Sequence, residues 1–108
     1  MNLNQKETIK KGIEYLKTHD WCQVELFKGK IEENPNACSF CALGAIAMAN
    51  GFNPNMDTDG RSIDYHMYEF IKTNLNLVDV YTEIYRINDT SPNKDCVIKE
   101  LEAMVTYD

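Results

Sequence analysis

The sequence predicts a mainly α fold, about five helices around a buried central helix, with a short β-hairpin as a possible addition. Three observations carry that expectation. Apolar residues recur at helical spacing in several windows, most plainly at Ile63, Met67, Phe70, Ile71 and Leu75. Residues 41–49 hold no charge on any face, the mark of a helix enclosed on all sides. The chain has 108 residues, 44 % of them apolar, which suits a single domain around one core.

Taken in order, Asn4-Gln5-Lys6-Glu7 reads as an N-cap with Glu three residues on, and Ile9, Ile13 and Leu16 then mark a helix over 5–18. Gly12 lies on its buried side, where another element can approach closely. Val24 and Leu26 alternate with Gln23 and Glu25 at strand period, and residues 37–40 can return as a second strand. A short hairpin and an extended loop both fit this stretch. The uncharged helix over 41–49 follows, with Ala42, Gly44, Ala45, Ala47 and Ala49 keeping its surface small and Asn50-Gly51 ending it. Residues 52–60 read as a loop, and the amphipathic helix begins at Ile63. Leu77, Val80, Tyr81, Ile84 and Ile87 fit a further helix, with a strand as the alternative because the stretch is rich in β-branched and aromatic residues. Asn88-Asp89-Thr90 reads as a turn. Ser91-Pro92 reads as an N-cap with Pro in the first helical position, opening a last helix along Val97, Leu101 and Met104 or Val105.

Charge narrows the function classes. The net charge is −6, and it is uneven: residues 1–30 hold six Lys against four acids, whereas residues 31–108 hold five basic residues against thirteen acids. A nucleic-acid binder needs clustered cations to displace counterions. Lys6, Lys10, Lys11 and Lys17 are interleaved with Glu7 and Glu14, as on a solvated helix face, so no nucleic-acid partner is expected. No apolar run is long enough to span a bilayer and the first residues carry no export signal, so the expectation is a soluble, cytoplasmic protein with no membrane partner.

Cys22, Cys38, Cys41 and Cys96 are then expected as reduced thiols. Cys38-Ser39-Phe40-Cys41 forms a C-x-x-C, but a structural zinc site wants a second pair or two His. Residues 55–60 match the opening of a calcium loop and then fail: Ser62 stands where an aliphatic is expected and His66 where a bidentate Glu is required. No metal and no cofactor is expected.

Trp21-Cys22-Gln23 after the first helix, Cys41-Ala42-Leu43-Gly44-Ala45 opening the buried one, and Asn88-Asp89 with Pro92 before the last helix form an ordered set. Together they resemble the small domain family catalogued as domain of unknown function 6197, found in bacteria and their phages. That family's pattern is a leading helix, a Trp-x-Gln turn, a Cys-Ala-x-Gly helix start and a Trp-Asn-Asp segment before a final helix. The resemblance spans roughly residues 9–105. It departs at Ile87, where the family usually has Trp, and in a longer, more acidic loop over 28–36. It implies a compact, mainly helical domain and no particular activity. Its phage members make an accessory role against host defence conceivable.

Two functional readings follow. In the first, the protein is a non-catalytic binding protein for a host protein or a small molecule. It would use a ligand site at Trp21, Gln23, Asn88 and Asp89, or a partner face built from Tyr81, Tyr85, Asp79 and Glu83, since Tyr with acidic neighbours suits protein recognition. In the second, it is a small cysteine-dependent enzyme. Cys41 at a helix N-terminus would be the nucleophile, His66 the base, Gln23 an oxyanion donor and Asp89 the group orienting the base. The order is papain-like, but Ser39 and Ala42 stand where that motif needs Gly and an aromatic residue. An architectural role for Trp21, Gln23, Asn88 and Asp89, as caps and backbone partners, is the simpler account of the same residues.

Overall fold

A computed structural model describes residues 1–57 and 59–107. Thr58, inside the segment compared with a calcium loop, and Asp108 lie outside the described residues. Among these, five α-helices and three two-residue strands form one body. The first helix, α1 (Leu3–Lys17), starts two residues earlier than the Asn4 cap implies. Asn2 is the N-cap: its Oδ1 accepts from Gln5 N–H at 2.8 Å, and Gln5 Oε1 accepts from Asn2 N–H at 3.0 Å. The same spacing of Asn and a long polar partner occurs twice, and the earlier pair closes the box. Ile9, Ile13 and Leu16 line the buried face as their spacing predicts.

The chain then runs through β1 (Asp20–Trp21), β2 (Phe27–Lys28) and β3 (Ser39–Phe40). The central strand is β3. It pairs parallel with β1, with Trp21 opposite Phe40, and antiparallel with β2, with Phe27 opposite Phe40. A hairpin between β2 and β3 therefore exists, but its first arm lies beyond the alternating residues. Val24 is not in a strand: it is 79 % exposed and sits at φ 75°, in the left-handed region. Alternation there reflects a tight loop between β1 and β2, not a pleat.

The buried helix is α2 (Ala42–Ala49), capped by Cys41 and ended at Asn50. Two glycines bring neighbours close to it, Gly12 from α1 and its own Gly44 against the backbone at Leu26. A Cβ on Gly12 would stand 2.9 Å from Ile46 Cα, and one on Gly44 would stand 3.0 Å from the Leu26 carbonyl carbon. Both elements thus approach α2 at backbone distance. Then come α3 (Ile63–Glu69), with Ser62 as N-cap, and a π-helical turn over Phe70–Asn74. The strand alternative for residues 77–87 gives way to a turn followed by α4 (Tyr81–Thr90), which buries Ile84 and Ile87.

Asn88 and Asp89 are not in a turn, since α4 continues through them. Ser91 caps the end of α4, with its hydroxyl donating to Ile87 O at 2.6 Å, so it is not the N-cap of the last helix. That position falls to Asn93, whose Oδ1 accepts from Cys96 N–H at 2.9 Å. The last helix is α5 (Lys94–Tyr107). Ser-Pro is a helix-start signal, but a serine in a helix's last turn can instead bond back to a carbonyl four residues earlier. Among the described residues no helix is long and apolar enough to cross a membrane.

Candidate functional site

The residues set apart by the sequence meet where β1, the start of α2 and the end of α4 converge. Asn88 is at the centre and is 1 % exposed. Its Oδ1 accepts from Trp21 Nε1–H at 2.7 Å and from Ala42 N–H at 2.8 Å. Its Nδ2 donates to Cys22 O at 3.1 Å and to Asp89 Oδ1 at 3.0 Å. A primary amide has two donor hydrogens and two acceptor lone pairs, and all four are used.

The placement has a backbone logic. Cys22 N–H donates to Phe40 O at 3.0 Å, continuing the β1–β3 ladder. In a parallel ladder the next bond would run from Ala42 N–H to Cys22 O. The Asn88 amide occupies that rung, accepting from the first group and donating to the second. A side chain from α4 thus stands in for a peptide bond at the point where the strands part and α2 begins.

Gln23 supports the same junction from outside. Its Nε2 reaches the carbonyls of Asn88, Asp89 and Ser91 at 3.2, 3.3 and 3.0 Å, answering groups that the end of α4 leaves open. Asp89 Oδ1 also accepts from Val24 N–H at 3.0 Å, which pins the strained loop. The sequence gives no sign of Val24's part in the site, because a β-branched residue is rare at positive φ and nothing local selects it.

Cys41 closes the cluster from below. Its sulfur accepts from Gly44 N–H at 3.4 Å, and its own N–H donates to Leu26 O at 3.1 Å. Burial pushes its thiol up to about 12, despite the hydrogen bonds that favour the thiolate. A helix N-terminus lowers a thiol pKa only where the charge is not stripped of solvent, and here desolvation wins. Cys22 is likewise pushed up to about 11, first by burial and further by Glu25 and Asp89, against Lys28.

The four residues of the enzyme reading separate into two groups. Cys41, Gln23 and Asp89 surround Asn88. His66 belongs to another surface, on α3, where it lines a groove of about 340 Å³ with Phe52, Met56, Glu69, Phe70 and Asn74. Trp21, Gln23, Asn88 and Asp89 do come together, and Trp21 Nε1, Gln23 Nε2, Asp89 Oδ1 and both amide atoms of Asn88 are directed at one another and at backbone.

The partner-face residues also divide. Asp79 Oδ1 accepts from Gln5 Nε2–H at 2.9 Å, tying the turn before α4 to α1. Tyr81 is half-buried, edge-on to Tyr68 with ring centres 5.2 Å apart. The Lys72 ammonium lies over both rings, hydrogen-bonded to Tyr68 Oη. Burial pushes the Tyr81 phenol up to about 12. Tyr85 and Glu83 remain on the exposed side of α4. Glu83 is paired with Arg86 at 2.6 Å, and that pairing holds its carboxyl below the usual range. Glu83 and Arg86 line an open groove of about 570 Å³ between α4 and α5, with Ile87, Glu100, Met104 and Tyr107.

All four cysteines are free thiols, and among the described residues no three His, Cys, Asp or Glu side chains gather into a metal-holding group. A family model described as a family of unknown function, DUF6197, matches residues 2–104. No curated protein and no solved structure matches.

Proposed function

The chain belongs to the DUF6197 family, and we propose from its geometry that it is a non-catalytic binding protein whose family motif builds the fold rather than a reaction centre. The observation that carries this reading is the saturation of Asn88, together with a Cys41 thiol held neutral by burial. A ligand at Trp21, Gln23, Asn88 and Asp89 would have to displace hydrogen bonds that hold three elements together. A nucleophile at Cys41 would need a charge that its surroundings oppose.

Recognition is then assigned to the outer side of α4 and α5. Glu83 lines the groove there with Met104 and Tyr107, Tyr107 being 86 % exposed, and Tyr85 is exposed on another face of α4. Aromatic and Met side chains with charged neighbours suit a protein partner. The proposed setting is the cytoplasm of a bacterial cell, with a phage or mobile-element accessory role as its most specific form. Four free thiols agree with a reducing compartment.

The test is affinity capture from cell lysate with wild-type protein and with Tyr85→Ala combined with Glu83→Lys. Both positions are exposed, so the double variant should unfold within about 0.5 kcal/mol of wild type for each site. One specific protein retained by wild type and lost by the variant is the expected result. Equal retention of every captured protein, or none captured by either, would remove this face from consideration. Separately, Cys41 should resist iodoacetamide at pH 8 while the protein stays folded. Rapid alkylation there would restore the enzyme reading.

A further inference from the structure

The register of the small sheet brings two cysteines side by side. Trp21 pairs with Phe40 in parallel β1 and β3, so Cys22 and Cys41 take the next lateral positions. Cys22 N–H donating to Phe40 O at 3.0 Å shows that the ladder continues to this step. Lateral neighbours in a parallel register turn their side chains to the same side of the sheet. Their strands lie about 4.8 Å apart, within the Cα separation of about 4.4–6.8 Å that a disulfide accepts. The inserted Asn88 amide widens the following rung while remaining bonded to both strands. Both are buried thiols outside any disulfide, the Cys22 sulfur donating to Glu25 O at 3.6 Å and the Cys41 sulfur accepting from Gly44 N–H at 3.4 Å. The other cysteines are placed elsewhere: the Cys38 thiol donates to Asn34 O at 3.5 Å, and Cys96 is on α5.

We propose that Cys22 and Cys41 are a reversible redox pair that closes to a disulfide when a small-molecule disulfide acts as oxidant. Cys22 loses its proton to solvent and its thiolate attacks one sulfur of the oxidant. A mixed disulfide forms and one small thiolate leaves, taking up a proton. Cys41 then gives up its proton to solvent, its thiolate attacks the Cys22 sulfur, the new protein S–S bond forms, and the second small thiolate leaves and is protonated. Two protein thiols are oxidised and one small disulfide is reduced to two thiols. The bond joins the end of β1 to the N-cap of α2 beside Asn88. Because both thiols are held above their ordinary value, the exchange is slow at neutral pH and quickens about tenfold per pH unit between pH 7 and 9.

The experiment uses the full chain with 2-hydroxyethyl disulfide at pH 8.5, with near-ultraviolet circular dichroism as the check that packing stays native. Alkylation stops the reaction, and peptide mass mapping reads the products. Before alkylation the expected product is lighter by about 2 Da, the two thiol hydrogens lost; it links Cys22 to Cys41, and alkylation then marks only Cys38 and Cys96. Cys41→Ser, which keeps a capping side chain, should stop at an adduct on Cys22. Cys22→Ala should form no intramolecular disulfide. Four alkylated thiols after prolonged oxidation, a link that includes Cys38 or Cys96, no adduct on Cys22 in Cys41→Ser, or a disulfide in Cys22→Ala would each overturn the pair.

Discussion

A buried side-chain amide with all four hydrogen-bonding positions filled by protein is expensive to lose. Asn88→Ala leaves Trp21 Nε1–H, Ala42 N–H and Cys22 O without their partner. Each stranded buried group costs about 1–3 kcal/mol, so a loss of about 3 kcal/mol or more is expected in urea unfolding. Asn88→Asp keeps two acceptors but sets a second carboxylate against Asp89 and Cys22 O. It should be as damaging at pH 7 and milder near pH 4, where the new carboxyl can hold a proton. A change below about 1 kcal/mol for both would mean that water replaces the amide. Val24 is the opposite case, because its side chain is exposed and its backbone is strained. Asn tolerates the left-handed region, so Val24→Asn should raise stability by about 1 kcal/mol, read as a higher urea midpoint at unchanged slope. The sequence picks out Trp21, Gln23, Cys41, Asn88 and Asp89 by type and order. Which atom meets which is not legible, because the bonds that join β1, α2 and α4 link residues more than forty positions apart. Asn-Asp-Thr has turn chemistry, and only the packing of α4 against α2 makes it helix.

At the scale of elements, periodicity carries the helices well and local polar motifs carry their ends poorly. Stripes such as Ile9, Ile13 and Leu16 or Ile84 and Ile87 record burial directly, so the helices fall where the stripes are. Caps are chosen among near-equivalent candidates by tertiary fit, which is why Asn2 replaces Asn4 and Asn93 replaces Ser91. The two-residue strands leave no period to read. The π-helical turn over Phe70–Asn74 has no signature that separates it from an ordinary turn of helix. Close approach is legible as glycine, and its consequence is sharp. In Gly44→Ala the methyl would overlap the Leu26 carbonyl, which already accepts from Cys41 N–H at 3.1 Å. The clash is with backbone, so β2 and the start of α2 must separate. A loss of about 2–4 kcal/mol is expected, measured by thermal unfolding. Gly44→Ser should be no better, whereas an exposed change such as Glu100→Ala should be near neutral.

For the whole molecule, three buried or half-buried acids set how stability responds to alkali. Burial raises Cys41 to about 12, Cys22 to about 11 and Tyr81 to about 12, from ordinary values of 9.0 for the thiols and 10.0 for the phenol. Below about pH 9 both the folded and the unfolded chain hold the Cys41 proton, and this group contributes no slope. Above it the unfolded chain releases the proton while the folded chain keeps it until pH approaches 12. Unfolding then releases protons, so stability falls as pH rises, by up to about 1.4 kcal/mol per pH unit for a fully buried group. Cys22 and Tyr81 act in the same direction, the first beginning near pH 9 and the second near pH 10. Their shifts are smaller, so each acts over a narrower span of pH than Cys41. These groups are therefore silent from pH 6 to 8 and steepen the loss above pH 9. Cys41→Ser tests the largest share, because serine caps a helix as well as cysteine does and does not titrate in this range. Urea unfolding at pH 7.5, 9.5 and 10.5 should show the free-energy curves of wild type and variant converging, or crossing, as pH rises. Parallel curves would mean that the Cys41 thiolate is accommodated in the folded protein, and that burial at the head of α2 does not keep the thiol neutral.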